Sequence, residues 1–398
     1  MKSLTILTAL TIASSITGLA IAEDEGADRE LAFTLPFKVI DNRVFVDARL
    51  NGRGPFHFIL DTGANADLSD RVARQLGLKV EDAGEGEGVG ATTQHFGRTQ
   101  LADFQLGRLQ LRDVEFAVTS FADSTQVFGT KPVDGFIGLP IFERMTVKQD
   151  YVHRLLTFIQ SDRFSYQGSG TILLFERPRQ IPVVEARLDG IAGKFGVDTG
   201  ARSALLLFGP FCEQNRLVEK YGAKLEGVTG WGIGGPVRSL LARASKLTLG
   251  ETGVRDPVIR LSVQKAGLTA SSGIAGLIGP DVLSQFDVTF DYLRSRMILE
   301  KNRDYGRRDS YDRAGLWMGQ QSNSRFFAVD VIAGGPADEA GVRPGDSILA
   351  IDGRSTENLV LPDVRESMRR RSPGDKVSLL LETRGQQRTA IVTLRDLI

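Results

Sequence analysis

FHFILDTGANADLS, residues 56–69, recurs in outline as GKFGVDTGARSALL, residues 193–206, and the rest of the chain repeats with these stretches or follows them. In the first, Phe56, Phe58 and Leu60 alternate with His57, Ile59 and Asp61, the period of a half-buried strand, and the run ends in the turn signal Thr62-Gly63. In the second, Phe195 and Val197 alternate with Gly196 and Asp198 and lead into Thr199-Gly200. A carboxylate is delivered from a strand end onto a loop twice.

Other matches extend the parallel. Asp61 and Asp198 are 137 residues apart; Gly138 of DGFIGLP and Gly279 of AGLIGP are 141 apart, as are Asp150 and Asp291, each followed by Tyr. Upstream, ARLNG ending at Gly52 recurs as ARLDG ending at Gly190. Self-similarity at this period predicts a tandem duplication.

Composition narrows the function classes. The chain has 398 residues, 41% hydrophobic and 25% charged, an ordinary globular balance with room for two or three domains. Lys+Arg and Asp+Glu are both 49, so no net positive field is available to hold nucleic acid or an anionic membrane. A lysine, an apolar run and the small-x-small site Ala20-Ile21-Ala22 read as a secretory signal over 1–22, followed by an acidic leader over 23–34. The expected destination is the bacterial periplasm or the extracellular space, with no stable membrane anchor once the signal is removed. Cys212 is the sole cysteine, which excludes an internal disulfide. One cysteine and three scattered histidines offer no metal-ligand spacing, and no serine-nucleophile motif accompanies His57, His95 or His153. No metal or cofactor is implied.

In chain order, LPFKVIDNRVFVDARLNG reads as a hairpin turning at Asp41-Asn42. Leu68, Val72, Leu76 and Leu78 fit a short helix, with Ser69 or Asp67 as its N-terminal cap and Gly77 at its end. The glycine-rich stretches EDAGEGEGVGATTQHFG and LEGVTGWGIGGPVRSL precede strands and not helices, so mobile hairpins over a cleft fit them better than phosphate-binding loops. Each half closes on Phe136-Ile137-Gly138 or Leu277-Ile278-Gly279, then proline-led helical turns and a last strand. KNRDYGRRDSYDR is charged and aperiodic and reads as a linker over 303–313. From Gly315 the punctuation changes to Gly335-Pro336-Ala337, Ala340-Gly341-Val342, Gly345-Asp346 and Asp352-Gly353, with a helix over 361–370.

Two adjacent carboxylates cannot both ionise cheaply, so a pair formed by Asp61 and Asp198 would share one proton. The residues resemble retropepsin-type aspartic peptidases: DTGA occurs at Asp61 to Ala64 and at Asp198 to Ala201, with FIG and LIG downstream. The resemblance implies a mainly β fold, two retropepsin/pepsin-like β-barrel lobes about a pseudo-twofold axis over 35–165 and 166–302. It makes Asp61 and Asp198 the catalytic pair for hydrolysis of peptide bonds in protein or peptide substrates. Thr62 and Thr199 would bond across the axis, and Gly63 and Gly200 would let backbone approach the carboxylates. The glycine-rich segments become flaps, with Gly88, Gly90, Gly230, Trp231 and Gly232 over the cleft. Two departures stand out: Ala follows DTG, unlike in pepsins, and no Tyr lies between Asp61 and Gly138 to act as a flap tyrosine. A non-catalytic peptide-binding scaffold on the same fold stays open as the alternative.

The segment over 314–398 resembles bacterial PDZ domains, an α+β module. That resemblance makes Gly315, Leu316, Trp317 and Met318 the loop that captures a peptide C-terminal tail, with Leu361, Val364 and Met368 of the helix lining an apolar pocket beside it.

Overall fold

Asp41 and Asn42 both take positive φ, 48° and 66°. This geometry suits a tight hairpin turn, and it folds strand Lys38–Ile40 back on Arg43–Leu50 as expected. The computed structural model describes residues 32–121, 127–129, 133–321 and 324–398. The expected signal and residues 23–31 of the leader lie outside the described residues. The leader's last residues do not form a free arm, because strand Ala32–Pro36 pairs antiparallel with Leu155–Gln160.

The two Asp-Thr-Gly stretches are built alike. Strand Arg53–Leu60 runs parallel to Gly135–Ile137, which in turn pairs antiparallel with Ala66–Ser69. In the second half Ile191–Val197 runs parallel to Gly276–Ile278, itself antiparallel to Leu205–Leu207. The loop carrying each aspartate is thus threaded past a short strand ending in Ile137 or Ile278. The N–H of Asp61 donates to Ile137 O at 3.0 Å and that of Asp198 to Ile278 O at 2.9 Å. The glycines after these strands pack without a side chain: a Cβ at Gly138 would overlap Asp61 O, and one at Gly279 would overlap Ser203 O. That requirement explains the FIG and LIG signals.

Ser69 caps helix Asp70–Leu76, its Oγ accepting from the Val72 N–H at 3.3 Å, and Gly77 closes it at φ 68°. Asp67, the other expected cap, plays no such part. The halves join through strand Met145–Asp150 paired with Phe286–Asp291, where Lys148 faces Thr289, the residue 141 positions on. A pseudo-twofold axis passes through this pairing. One apolar core runs under both halves, with Phe58, Phe104, Phe116, Phe158, Phe195 and Phe290 fully buried.

The C-terminal unit is a separate sheet of Leu316–Gln320, Phe326–Val331, Ser347–Ile351, Lys376–Thr383 and Gln386–Thr393. Helix Leu361–Arg370, expected from the sequence with these bounds, packs on it. Residues 303–313 connect the units as a docked segment: Asp309 accepts from the Val258 N–H at 3.0 Å and from Arg369 at 3.0 Å, and Tyr305 donates to Gly253 O at 2.8 Å.

Candidate active site

Asp61 and Asp198 face each other across the pseudo-twofold axis, both buried. Their loops are locked by a reciprocal exchange. The Thr62 N–H donates to Thr199 Oγ1 and the Thr199 N–H to Thr62 Oγ1, each at 3.0 Å. The hydroxyls in turn donate onward, Thr62 to Val197 O at 2.7 Å and Thr199 to Leu60 O at 2.9 Å. Each threonine spans the lobe boundary twice, so the carboxylates hold their separation without ligand. Gly63 and Gly200 are needed for contact: a Cβ at Gly63 would press to 3.2 Å from Asp61 Oδ1 and 3.3 Å from Asp198 Oδ1, and one at Gly200 would overlap the Asp61 carboxyl.

The pair is unequal. Asp61 Oδ1 accepts one N–H, from Gly63 at 2.7 Å. Asp198 Oδ1 accepts two, from Gly200 at 2.8 Å and Ala201 at 3.0 Å. Burial, and then the charge of Asp198, push the Asp61 carboxyl well above the usual carboxylate range. Burial also pushes Asp198 up, but the hydrogen bond with Asp61, the two N–H groups and the nearby Arg43 guanidinium all oppose it. The two carboxyls thus titrate as one coupled unit, with the larger set of N–H donors on Asp198.

A cavity of about 580 Å³ lies over the pair. Its lobe-1 wall is apolar, with Phe121, Val127, Phe128, Val133 and Phe136, and its lobe-2 wall carries Ile181, Val183, Leu206, Phe208 and Leu277. The two expected flaps are hairpins, Glu81–Glu87 with Thr93–Leu106 and Leu225–Gly232 with Gly235–Arg243. Gly88, Gly230, Trp231 and Gly232 line the cavity, and Trp231 joins the apolar lobe-1 cluster. Gly90 instead meets the opposite flap, its N–H donating to Ile233 O at 2.9 Å. The Thr92 N–H and hydroxyl both reach Gly234 O, and the Leu268 N–H donates to Gly88 O at 2.9 Å.

Sequence reasoning missed a buried charge cluster behind the loops that carry Asp61 and Asp198. Asp41, in the hairpin turn, meets Arg43 at 2.6 Å, Arg202 at 3.1 Å and Arg365 of the C-terminal helix at 3.5 Å. Burial pushes the Asp41 carboxyl up, but the three guanidiniums together hold it below its usual range. Arg43 Nε donates to Gly200 O at 2.6 Å and Asn42 Nδ2 to Arg202 O at 2.9 Å, so the cluster grips the loop bearing Asp198. Arg365 also donates to Val127 O at 2.6 Å and Met318 O at 2.5 Å, and the guanidiniums of both Arg202 and Arg365 lie over the Trp317 ring.

That packing changes the picture of the expected tail pocket. Leu316, Met318, Leu361, Val364 and Met368 are core residues of the C-terminal unit, none more than 8% exposed, and Trp317 is buried at the domain boundary. Gly129 lies against Leu361, where a Cβ would come within 3.3 Å of the Leu361 Cβ. Among the described residues, Gly129 and Val127 of lobe 1 and the Arg365 side chain cover this face, and no open apolar groove remains beside Leu361. The loop at Gly315 does hold a carboxylate, but an internal one: Asp312 Oδ1 accepts from the N–H groups of Ala314, Gly315 and Leu316 at 2.9, 2.7 and 3.3 Å.

Residues 46–141 match the aspartyl protease family, and residues 327–383 match the PDZ domain family. The first match includes Asp61 and Gly138; the second includes the helix Leu361–Arg370. No curated protein matches the chain.

Proposed function

We propose that this chain, with its aspartyl-protease-like and PDZ domains, is an exported aspartic-type endopeptidase that hydrolyses peptide bonds through Asp61 and Asp198, the second lobe having arisen by tandem duplication of the first. The observation that carries the reading is the unequal donor set on two buried, facing carboxyls. Ionised Asp198 takes a proton from a water as the water oxygen attacks the scissile carbonyl carbon, and protonated Asp61 donates its proton to the carbonyl oxygen. The tetrahedral species collapses as Asp198 passes its proton to the leaving nitrogen and Asp61 recovers one from the hydroxyl. No covalent enzyme intermediate forms. Water-filled solvent would weaken both transfers, and the apolar walls under the flap hairpins exclude it.

Recognition of peptide tails by the PDZ domain belongs to the same reading. A tail carboxylate would take the place of Asp312 on the Gly315 loop once lobe 1 and Arg365 draw back from it, and an added strand would then lie beside the edge strand Leu316–Gln320 and not beside Phe326–Val331, which has a strand on each side. The first expectation is cleavage of a denatured-protein mixture by the purified chain, abolished by a statine-type inhibitor that mimics the tetrahedral species. Intact substrate after prolonged incubation, with the fold verified, would return the protein to the class of peptide-binding scaffolds.

A further inference from the structure

Asp67 is the least explained polar residue of the cleft. It lies six residues after Asp61 on strand Ala66–Ser69, 1% exposed, between Ala117 and Phe136 in the sheet. Its neighbours Ala66 and Leu68 point into the core, and Asp67 lines the cavity over the catalytic pair. Among the described residues neither of its carboxyl oxygens has a hydrogen-bond partner. Three arginines line the same cavity, but Arg43 is committed to Asp41 and Gly200 O, Arg202 to Asp41, and Arg260 lies over the Tyr311 ring. None of the three forms an ion pair with Asp67.

The fold does not require an acid here. The residue in the same register of the second lobe is Leu206, which pairs with Leu277 as Asp67 pairs with Phe136 and lies, also buried, on the wall of the same cavity. A buried carboxyl with no partner is destabilising, so its presence on a cavity wall calls for a ligand-dependent role. Its two free oxygens present the acceptor edge that a guanidinium fork matches bidentately.

We propose that Asp67 is a specificity-determining residue at the base of a lobe-1 subsite that receives a basic side chain of the substrate, arginine ahead of lysine. The inference rests on the peptidase reading for the path of the substrate, not for the pairing itself. The surrounding apolar residues Val133 and Phe136 would take the aliphatic stem, leaving the guanidinium to meet Asp67. Burial pushes the Asp67 carboxyl up to about 8. At neutral pH the free site is therefore protonated, and a cation entering it drives one proton out to solvent. The other ionisable groups of this cavity are Asp61, Asp198, Arg43, Arg202 and Arg260.

The test uses the full chain and statine-centred peptides in which each flanking position carries arginine, its neutral near-isostere citrulline, or norleucine, with binding followed by calorimetry. At one position arginine should bind tighter than citrulline by on the order of 10- to 100-fold. Its binding at pH 7 should release about one proton, read from buffers of different ionisation enthalpy, while citrulline releases none. In Asp67→Asn and Asp67→Ala the arginine-to-citrulline ratio should fall to about one and the proton release vanish, with norleucine peptides binding as before. Equal binding of arginine and citrulline at every position, or the same ratio in wild type and both variants, would overturn the subsite. Arginine-selective binding without cleavage of the corresponding ordinary peptide would sink the peptidase reading and leave the subsite standing; failure of every peptide to bind would overturn both.

Discussion

The Gly315 N–H points at Asp312 Oδ1 from 2.7 Å, flanked by the N–H groups of Ala314 and Leu316 on the same oxygen. The loop proposed to receive a tail carboxylate is thereby filled by a residue three positions upstream. A tethered carboxylate competes at an effective concentration in the millimolar range. Asp312→Ala should therefore raise the affinity for a free apolar tail, on the order of tenfold, in calorimetric titration with a short peptide ending in valine. An unchanged affinity would mean that tails do not use this loop.

The catalytic pair should behave as one unit. Asp61→Asn and Asp198→Asn are each expected to lower kcat by on the order of 10⁴ or more, and the double variant should be no worse than either single one. Near-wild-type turnover in one single variant would refute the dyad.

Activity should peak above the usual carboxylate range. The reactive form carries one proton, so rate is lost as pH rises through the upper apparent pKa and as pH falls through the lower one. Burial moves both carboxyls upward, and the charge of Asp198 raises Asp61 further, which shifts the whole bell toward weakly acidic or near-neutral pH. Ala64→Thr would add a donor near Asp61 and should draw the profile downward. A kcat/KM profile confined below about pH 3 would contradict this account.

Asp67→Asn should stabilise the protein, and by an amount that grows with pH. The folded-state pKa of about 8 stands above the ordinary value of 3.8, so between these limits the unfolded chain releases a proton that the folded chain keeps. Stability is thus lost as pH rises through that window, by at most ~4 kcal/mol at pH 7. The gain in Tm of the variant should be small near pH 4 and larger near pH 7.5. A pH-independent difference would show that Asp67 does not titrate in that window.

Removing Asp41 should be worse than removing any one of its partners. Asp41→Asn leaves Arg43, Arg202 and Arg365 uncompensated in the interior, a cost of about 3–5 kcal/mol. Arg365→Met keeps Asp41 paired and is expected to cost roughly 1–3 kcal/mol, chiefly for the carbonyls of Val127 and Met318 left without this donor. Chemical denaturation of both variants checks the order, and peptide turnover should fall in both because Arg43 and Asn42 position the Asp198 loop.

The pair Asp61 and Asp198 was legible because its signals are local: a two-residue alternation, a turn and a tight glycine, written twice. The cross-axis role of Thr62 and Thr199 was implied by the resemblance to retropepsin-type peptidases. Asp41 and Arg365 lie 324 residues apart, and no periodicity connects a hairpin turn to a helix in another domain. The helix pattern marked Leu361, Val364 and Met368 as an apolar face, but an apolar face reads the same whether core or ligand covers it. Arg365, between them, was the contrary signal, since a charge amid such a face needs a buried partner. Ser69 and Asp67 both qualify as the helix cap, since either residue type before a helix commonly serves as one, and only three-dimensional placement assigns the role to Ser69 and frees Asp67 from it.

The contacts of the first flap tip with the second flap and with Leu268 have a topological consequence. Gly90 to Ile233, Thr92 to Gly234 and Leu268 to Gly88 close the chain into a bracelet around the cavity. A polypeptide continuing at both ends into folded structure cannot be threaded through a closed ring; it must wait for the clasp to part. Four hydrogen bonds at about 1 kcal/mol each bias the clasp shut by roughly a thousandfold. Slack, extended chains with free ends would then be admitted far more often than loops anchored in a folded body, which makes the state of the substrate's own fold a criterion of selection alongside its sequence.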